Sequence, residues 1–203
     1  MRLGLLGPAP DQKEVLADAA RMMQRTLGAD RVLYLGSDRM LDLVVGEWAE
    51  ELVGPGADDL TIMRRATEKC LNAEPASIDA FLAAERERSS LRIFQSIAGE
   101  RTRSVELIGG KVAVMLYDKG HLEEEDILPA TLLIFGKGRE PLIKLIGRRW
   151  FLSPGMFPRH GIMVIDDTDD KLWAIVYDSN YEEVERKELS APKMLRMRVA
   201  GDS

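Results

Sequence analysis

The sequence predicts an α/β protein: a β-sandwich of two mixed sheets flanked by helices. Three observations carry that expectation. The chain opens on a strand–helix–strand unit, which implies a parallel crossover, right-handed by default. Its centre, Ala130 to Gly155, runs an apolar strand into a glycine-punctuated loop, the place where α/β proteins build a functional crevice. Its last third alternates apolar and polar residues between short turns, which suggests a second sheet of half-buried antiparallel strands.

Arg2 to Leu6 is a short apolar strand. It breaks at Gly7-Pro8-Ala9-Pro10, where two prolines suit neither helix nor ladder. Asp11 is a candidate N-cap, with Glu14 three residues later as in a capping box. Val15, Leu16, Ala19, Met22, Met23 and Leu27 keep one apolar face at helical spacing, and Gly28 ends the helix. Arg31 to Leu35 is the next strand, closing at Gly36-Ser37-Asp38. Leu41 to Leu52 reads as a second helix and Val53 to Asp59 as a loop. Helical patterns cover Leu60 to Leu71 and Ile78 to Ile97. Between them Pro75 breaks the run and Ser77 offers a cap. The charged run Ala83 to Ser90 is expected to be a solvated helix face in preference to a binding stripe.

Val105 to Ile108 and Lys111 to Tyr117 flank Gly109-Gly110, a two-residue hairpin signal. Asp118-Lys119-Gly120-His121 and an acidic turn, Glu123 to Leu128, lead into the centre. There Thr131 to Phe135 is a strand and Gly136-Lys137-Gly138-Arg139 its loop. Pro141 to Ile146 and Trp150 to Leu152 follow, ended by Ser153-Pro154-Gly155. Gly161 to Asp166 and Leu172 to Tyr177 pair around Asp167 to Asp170, and Glu182 to Leu189 is the last strand. A single domain is expected over 1–189, with a helical insert around 54–100. A tail over 190–203 carries Met194, Leu195, Met197 and Val199 among basic residues and is a candidate docking segment.

Composition narrows the function classes. The chain has 203 residues, 45% hydrophobic and 31% charged, as expected of a globular protein. A net charge of −6 argues against a general nucleic-acid binder. No apolar run reaches the roughly 18–20 residues of a membrane span, and the first residues are too short an apolar run for a secretory signal. A cytoplasmic location is the default. The single cysteine, Cys70, excludes an internal disulfide and is expected to be a small packed helix residue. Trp48, Trp150 and Trp173 read as core or edge aromatics, His160 as a solvated loop residue, and Ser37 lacks a base partner for nucleophilic work.

The strand ends resemble those of the calcineurin-like metallophosphoesterases. In that family the first strand ends in D-x-H, the second in G-D, a central strand in H-G or H-G-H and a later one in G-H-x-H, followed by N-P-G-S. Here the matching positions are Pro8 and Pro10, Ser37, Lys119-Gly120-His121, Gly136-Lys137-Gly138-Arg139 and Ser153-Pro154-Gly155-Met156. Asp38 stands one residue beyond the second-strand aspartate, and the family's G-N-H-D loop falls near Val53 to Asp59 without its Asn or His. The resemblance implies a phosphoesterase-like fold whose chemistry needs two metals about 4 Å apart. Pro8, Pro10, Ser37, Lys119, Lys137 and Arg139 are not ligands for such a pair, and only His121 keeps a family histidine.

The resemblance therefore implies a pseudoenzyme with no metal and no cofactor, kept as a protein-interaction or scaffold module with an unidentified protein partner. The retromer subunit of this fold is the family precedent. Two readings of the cations stay open. In one, Lys119, Lys137 and Arg139 pair with Asp38, Asp118 and Glu123 to Glu125 and fill the vacated cleft. In the other, they form an anion site for a phosphorylated ligand, enlarged by Arg148, Arg149 and Arg159. A third reading is a hydrolase with a rearranged site built on His121, Asp118 and Asp38. Self-association is left open.

Overall fold

The computed structural model describes residues 1–168 and 170–190, so the Met-rich tail segment lies outside the described residues. β1 (Arg2–Leu6) and β2 (Arg31–Tyr34) pair in parallel through α1 (Lys13–Arg25). β1 is buried on both faces. Leu3 and Leu5 face a core shared with a second sheet, whereas Leu6 packs with Leu16, Ala20 and Met23 of α1 and with Leu41 and Val44 of α2 (Met40–Val53). Asp11 does not cap α1. It turns the chain at φ 56°, and Gln12 stands at the N-cap with no side-chain bond. The reason is the Pro8–Pro10 loop, whose Ala9 carbonyl accepts the Gln12 N–H at 3.1 Å.

Two sheets form. The first has six strands in the order β11 (Glu183–Glu188), β10 (Lys171–Tyr177), β9 (Ile162–Thr168), β1, β2, β3 (Phe94–Ser96). The second has five: β4 (Arg103–Ile108), β5 (Lys111–Leu116), β6 (Leu132–Phe135), β8 (Arg149–Ser153), β7 (Leu142–Ile146). This corrects the expected sheet assignment. The late hairpins do not make the second sheet; β9 pairs antiparallel with β1, Leu6 opposite Ile162 and Arg2 opposite Asp166. The first five residues of β9 are all buried, so it needs cover on both faces and takes a central place. Asp166 at its far end is tied to the Arg2 guanidinium at 2.7 Å.

β5, β6 and β8 run parallel, so their carboxyl ends share one rim. The Gly109-Gly110 hairpin forms as expected, both residues at positive φ. α5 (Glu124–Ile127), opened by a capping box between Glu123 and Asp126, follows β5 and leads into β6.

The two helices that follow α2 differ from the body. α3 (Asp59–Asn72) is capped by Asp58, which accepts the Thr61 N–H at 3.0 Å, and buries only Ile62. α4 (Pro75–Ser90) buries no residue fully. Pro75 opens α4 instead of breaking it, at the first helical position with Glu74 as N-cap, so Ser77 is not the cap. The predicted helix to Ile97 stops at Ser90. Phe94–Ser96 becomes an edge strand because Phe94 pairs beside Val32 and packs edge-on to Trp48, ring centroids 5.8 Å apart. Cys70 is exposed on α3, not packed, because only the opposite side of that helix meets the body. No helix among the described residues is long and apolar enough to cross a membrane.

Candidate functional site: a cleft rim without metal ligands

The two sheets touch by backbone at their carboxyl ends. A Cβ on Gly7, just after β1, would lie 1.9 Å from the Gly155 carbonyl oxygen beyond β8. One on Gly136, just after β6, would lie 2.0 Å from the Leu35 carbonyl oxygen beyond β2. Only glycine fits at these crossings. They bring Pro8, Ser37, Lys137 and Gly155 to one rim, with Asp118 held beside them because the Lys137 N–H donates to the Tyr117 carbonyl at 2.7 Å.

The rim side chains are mostly spoken for. Pro8 is buried, and its carbonyl accepts the Phe157 N–H at 3.0 Å. Ser37 is half-buried, its carbonyl bound by the Gly99 N–H at 3.1 Å. Pro10 is exposed. Asp38 accepts the Met40 N–H at 3.0 Å and so serves the start of α2, which fits its one-residue offset.

Lys137 and Asp118 form the ion pair of the rim, at 2.6 Å. The second Asp118 oxygen accepts the Gly120 N–H at 2.8 Å. The Lys137 ammonium, and then that N–H, hold the Asp118 carboxyl below the usual carboxylate range, and Asp118 raises Lys137 in return. Of the carboxylate pairs expected to fill the cleft, this is the one that forms. Lys119 and Arg139 are exposed, and neither has an ion pair among the described residues. Lys119 lies 5.1 Å over the Phe135 ring. Glu123 meets Arg103, the first residue of β4, at 3.6 Å instead of a rim lysine, and Asp126 also binds Arg103.

His121 follows Asp118 in the same turn, its backbone N–H donating to the Asp118 carbonyl at 2.9 Å, but its ring is turned to another partner. Its Nδ1–H donates to the Glu100 carbonyl at 3.0 Å, and it lines a shallow groove with Arg101 and Arg103. His160 is half-buried, its Cβ packed over Gly155, and so is not a free loop side chain. Sequence reasoning missed Tyr34, and it named Ser153 only as a motif position. Tyr34 is fully buried and its hydroxyl accepts the Ala9 N–H at 3.2 Å, pinning the Pro8–Pro10 loop. Burial pushes that hydroxyl far above its ordinary value, with Asp38 adding to the rise and the Ala9 N–H opposing it. Ser153 is buried and accepts the Gly155 N–H at 3.3 Å. The one available signal was a tyrosine in an otherwise aliphatic strand, which needs a polar partner when buried.

The donor set does not fit a metal pair. Proline brings no side-chain donor, the Lys137 ammonium already neutralises Asp118, and Asp38 and His121 are each engaged elsewhere. No group of three or more His, Cys, Asp or Glu side chains among the described residues is placed to hold a metal ion.

Solved structures share this architecture. A single mutant of Vps29 from Entamoeba histolytica is 16% identical, covers 93% of this chain and 99% of its own, and gives a TM-score of 0.51. A double mutant of the same protein is 15% identical, with the same coverage and a TM-score of 0.50. A novel archaeal phosphodiesterase is 13% identical over 87% of this chain and 99% of its own, with a TM-score of 0.49. No family model matches the chain, and no curated protein matches it in sequence. The chain has the calcineurin-like metallophosphoesterase fold, and its rim lacks the donors of the metal motifs.

Proposed function

We propose that this chain is a catalytically inactive, cytoplasmic metallophosphoesterase-fold protein that serves as a protein-interaction or scaffold module. The observation that carries this reading is the Lys137–Asp118 pair at 2.6 Å, beside Pro8 and Ser37 where the motifs would need donors. An ammonium on the rim opposes a divalent cation by charge, and the prolines offer it no ligand. The likeness in fold to Vps29 is consistent with the reading. The test is calorimetric titration of the purified protein with manganese and with zinc, beside a phosphodiester hydrolysis assay on the same sample. The expected result is neither stoichiometric binding nor turnover. Binding of two metals with turnover lost in chelator overturns the reading.

A second reading has its own support. Lys119 and Arg139 are exposed cations without ion pairs among the described residues, next to glycine-rich backbone. With Lys137 they would bind a phosphorylated ligand without cleaving it. Titration with inorganic phosphate at low salt tests it. Saturable binding lost in the Lys119→Ala/Arg139→Ala double variant supports it, and no binding sinks it.

A further inference from the structure

The outer face of α3 has no function in the fold. Leu60, Met63 and Leu71 are 82%, 70% and 76% exposed. With Leu107 they are the four most exposed large apolar side chains among the described residues. Their spacing, three residues and then eight, puts them on one side of the helix, with Thr67 between and Ile62 on the opposite, buried side. A bare apolar stripe on a 14-residue helix is a contact surface or a liability.

The charges beside the stripe choose the occupant. Arg64 and Glu68 lie one turn apart on one flank, both exposed, and neither has an ion-pair partner among the described residues. On the other flank Asp59 is already bound by Arg88 and Arg92. A flank with one free cation followed one turn later by one free anion complements its own reverse. In an antiparallel pair the like flanks face each other, so Arg64 of each copy meets Glu68 of the other. Setting Leu60 against Leu71 of the second copy puts the two-fold axis between residues 65 and 66. Arg64 and Glu68 of opposite copies then stand within about one residue rise of each other along the helix, roughly 1.5 Å.

We infer that α3 is a self-association surface, and that the chain forms a two-fold antiparallel α3–α3 dimer through Leu60, Met63 and Leu71. The inference is independent of the state of the cleft, which metal titration decides separately. A helix of this length is about 21 Å long. Two such helices bury less than the roughly 800 Å² per partner of a standard interface, so the dimer is weak and depends on concentration.

The test is sedimentation velocity of the full chain from about 1 µM to about 1 mM, a range that spans weak dimers. A monomer–dimer transition is expected within it. Leu60→Glu and Leu71→Glu each abolish the transition without changing the thermal melt of the monomer, because both side chains are exposed. Arg64→Glu sets two carboxylates opposite Glu68 of the other copy and weakens the dimer about tenfold; Glu68→Arg does the same with cations. The Arg64→Glu/Glu68→Arg double variant restores association to within about threefold of the wild type. Cys70, the single cysteine, gives the geometry. In the antiparallel register the two copies of Cys70 are offset about 13 Å along the axis, so spin labels there report one distance of roughly 2–3 nm. A monomer across the whole range overturns the inference. So does a dimer that ignores the leucine variants, fails to respond to the charge swap, or cross-links readily through Cys70.

Discussion

The sandwich body and the α3–α4 pair are made from similar residue types and end in opposite states. In the body, Leu3, Leu5, Leu132 and Ile134 meet across two sheets, and glycines let the backbones touch at the cleft rim. In the α3–α4 pair, leucines of comparable size face solvent, and one residue of thirty in the two helices is buried. The difference is not hydrophobicity. A central strand lies between the second sheet and a helical layer and has both faces covered, whereas a helix laid over the edge of the body has one. The body is therefore where substitutions unfold the protein. The helical pair is where they change what it touches.

The sharpest way to break this contrast is to exchange the behaviour of two glycines. Gly7→Val puts a side chain into the Gly155 carbonyl, backbone that cannot yield, and is expected to cost more than about 4 kcal/mol. Soluble yield and a urea melt read this. Gly46→Ala in α2 meets nothing within 4 Å and is expected to stabilise by about 0.5–1 kcal/mol. A neutral Gly7→Val would mean that the two sheets do not close at the rim.

The leucines give the next effect. Leu132→Ala, in the core between the sheets, is expected to destabilise by about 2–5 kcal/mol. Leu60→Ala is expected to change stability by no more than about 0.5 kcal/mol, measured by the same melt under dilute conditions.

Acid sharpens the comparison further. Burial pushes the Asp166 carboxyl up, but hydrogen bonds from Arg2 and Thr168 outweigh it, and the net shift is downward. A depressed carboxylate contributes fully above the unfolded value, about 3.9, and loses its contribution as pH falls through the lower folded value. Asp166→Asn is therefore expected to flatten the stability curve below about pH 4 and to lower stability at neutral pH, read by melts across pH. An unchanged acid limb would remove Asp166 from the list of residues that tie β1 to β9.

The smallest effect is at the rim. Lys137→Met leaves the fold intact, because the lysine is exposed. Its signature is local: the Asp118 carboxyl rises toward the ordinary carboxylate range, read by NMR titration. If Asp118 does not move, the Gly120 N–H and not Lys137 sets its charge.

Much of this was legible in the sequence where spacing is local. The first strand–helix–strand unit, the Gly109-Gly110 hairpin and helix α2 follow from period and turn chemistry within a dozen residues. The sequence also placed Pro8, Ser37, Lys137 and Gly155 just beyond strand ends, and they follow β1, β2, β6 and β8. What that placement did not hold was the pairing. Lys137 found Asp118, yet Glu123 went to Arg103 and Asp38 to the start of α2. Phe94–Ser96 looked helical because three residues are too few to show a period of two.

Periodicity, turn residues and strand-end glycines determined most of the elements. Those are properties of neighbours in the chain. Only the tertiary structure decided which sheet the late hairpins join, that Tyr34 pins the Pro8–Pro10 loop, and that one side of α3 stays bare. Each depends on contacts between residues far apart in sequence. Their formation is set by which faces remain uncovered once the sheets have closed, and no local pattern records that.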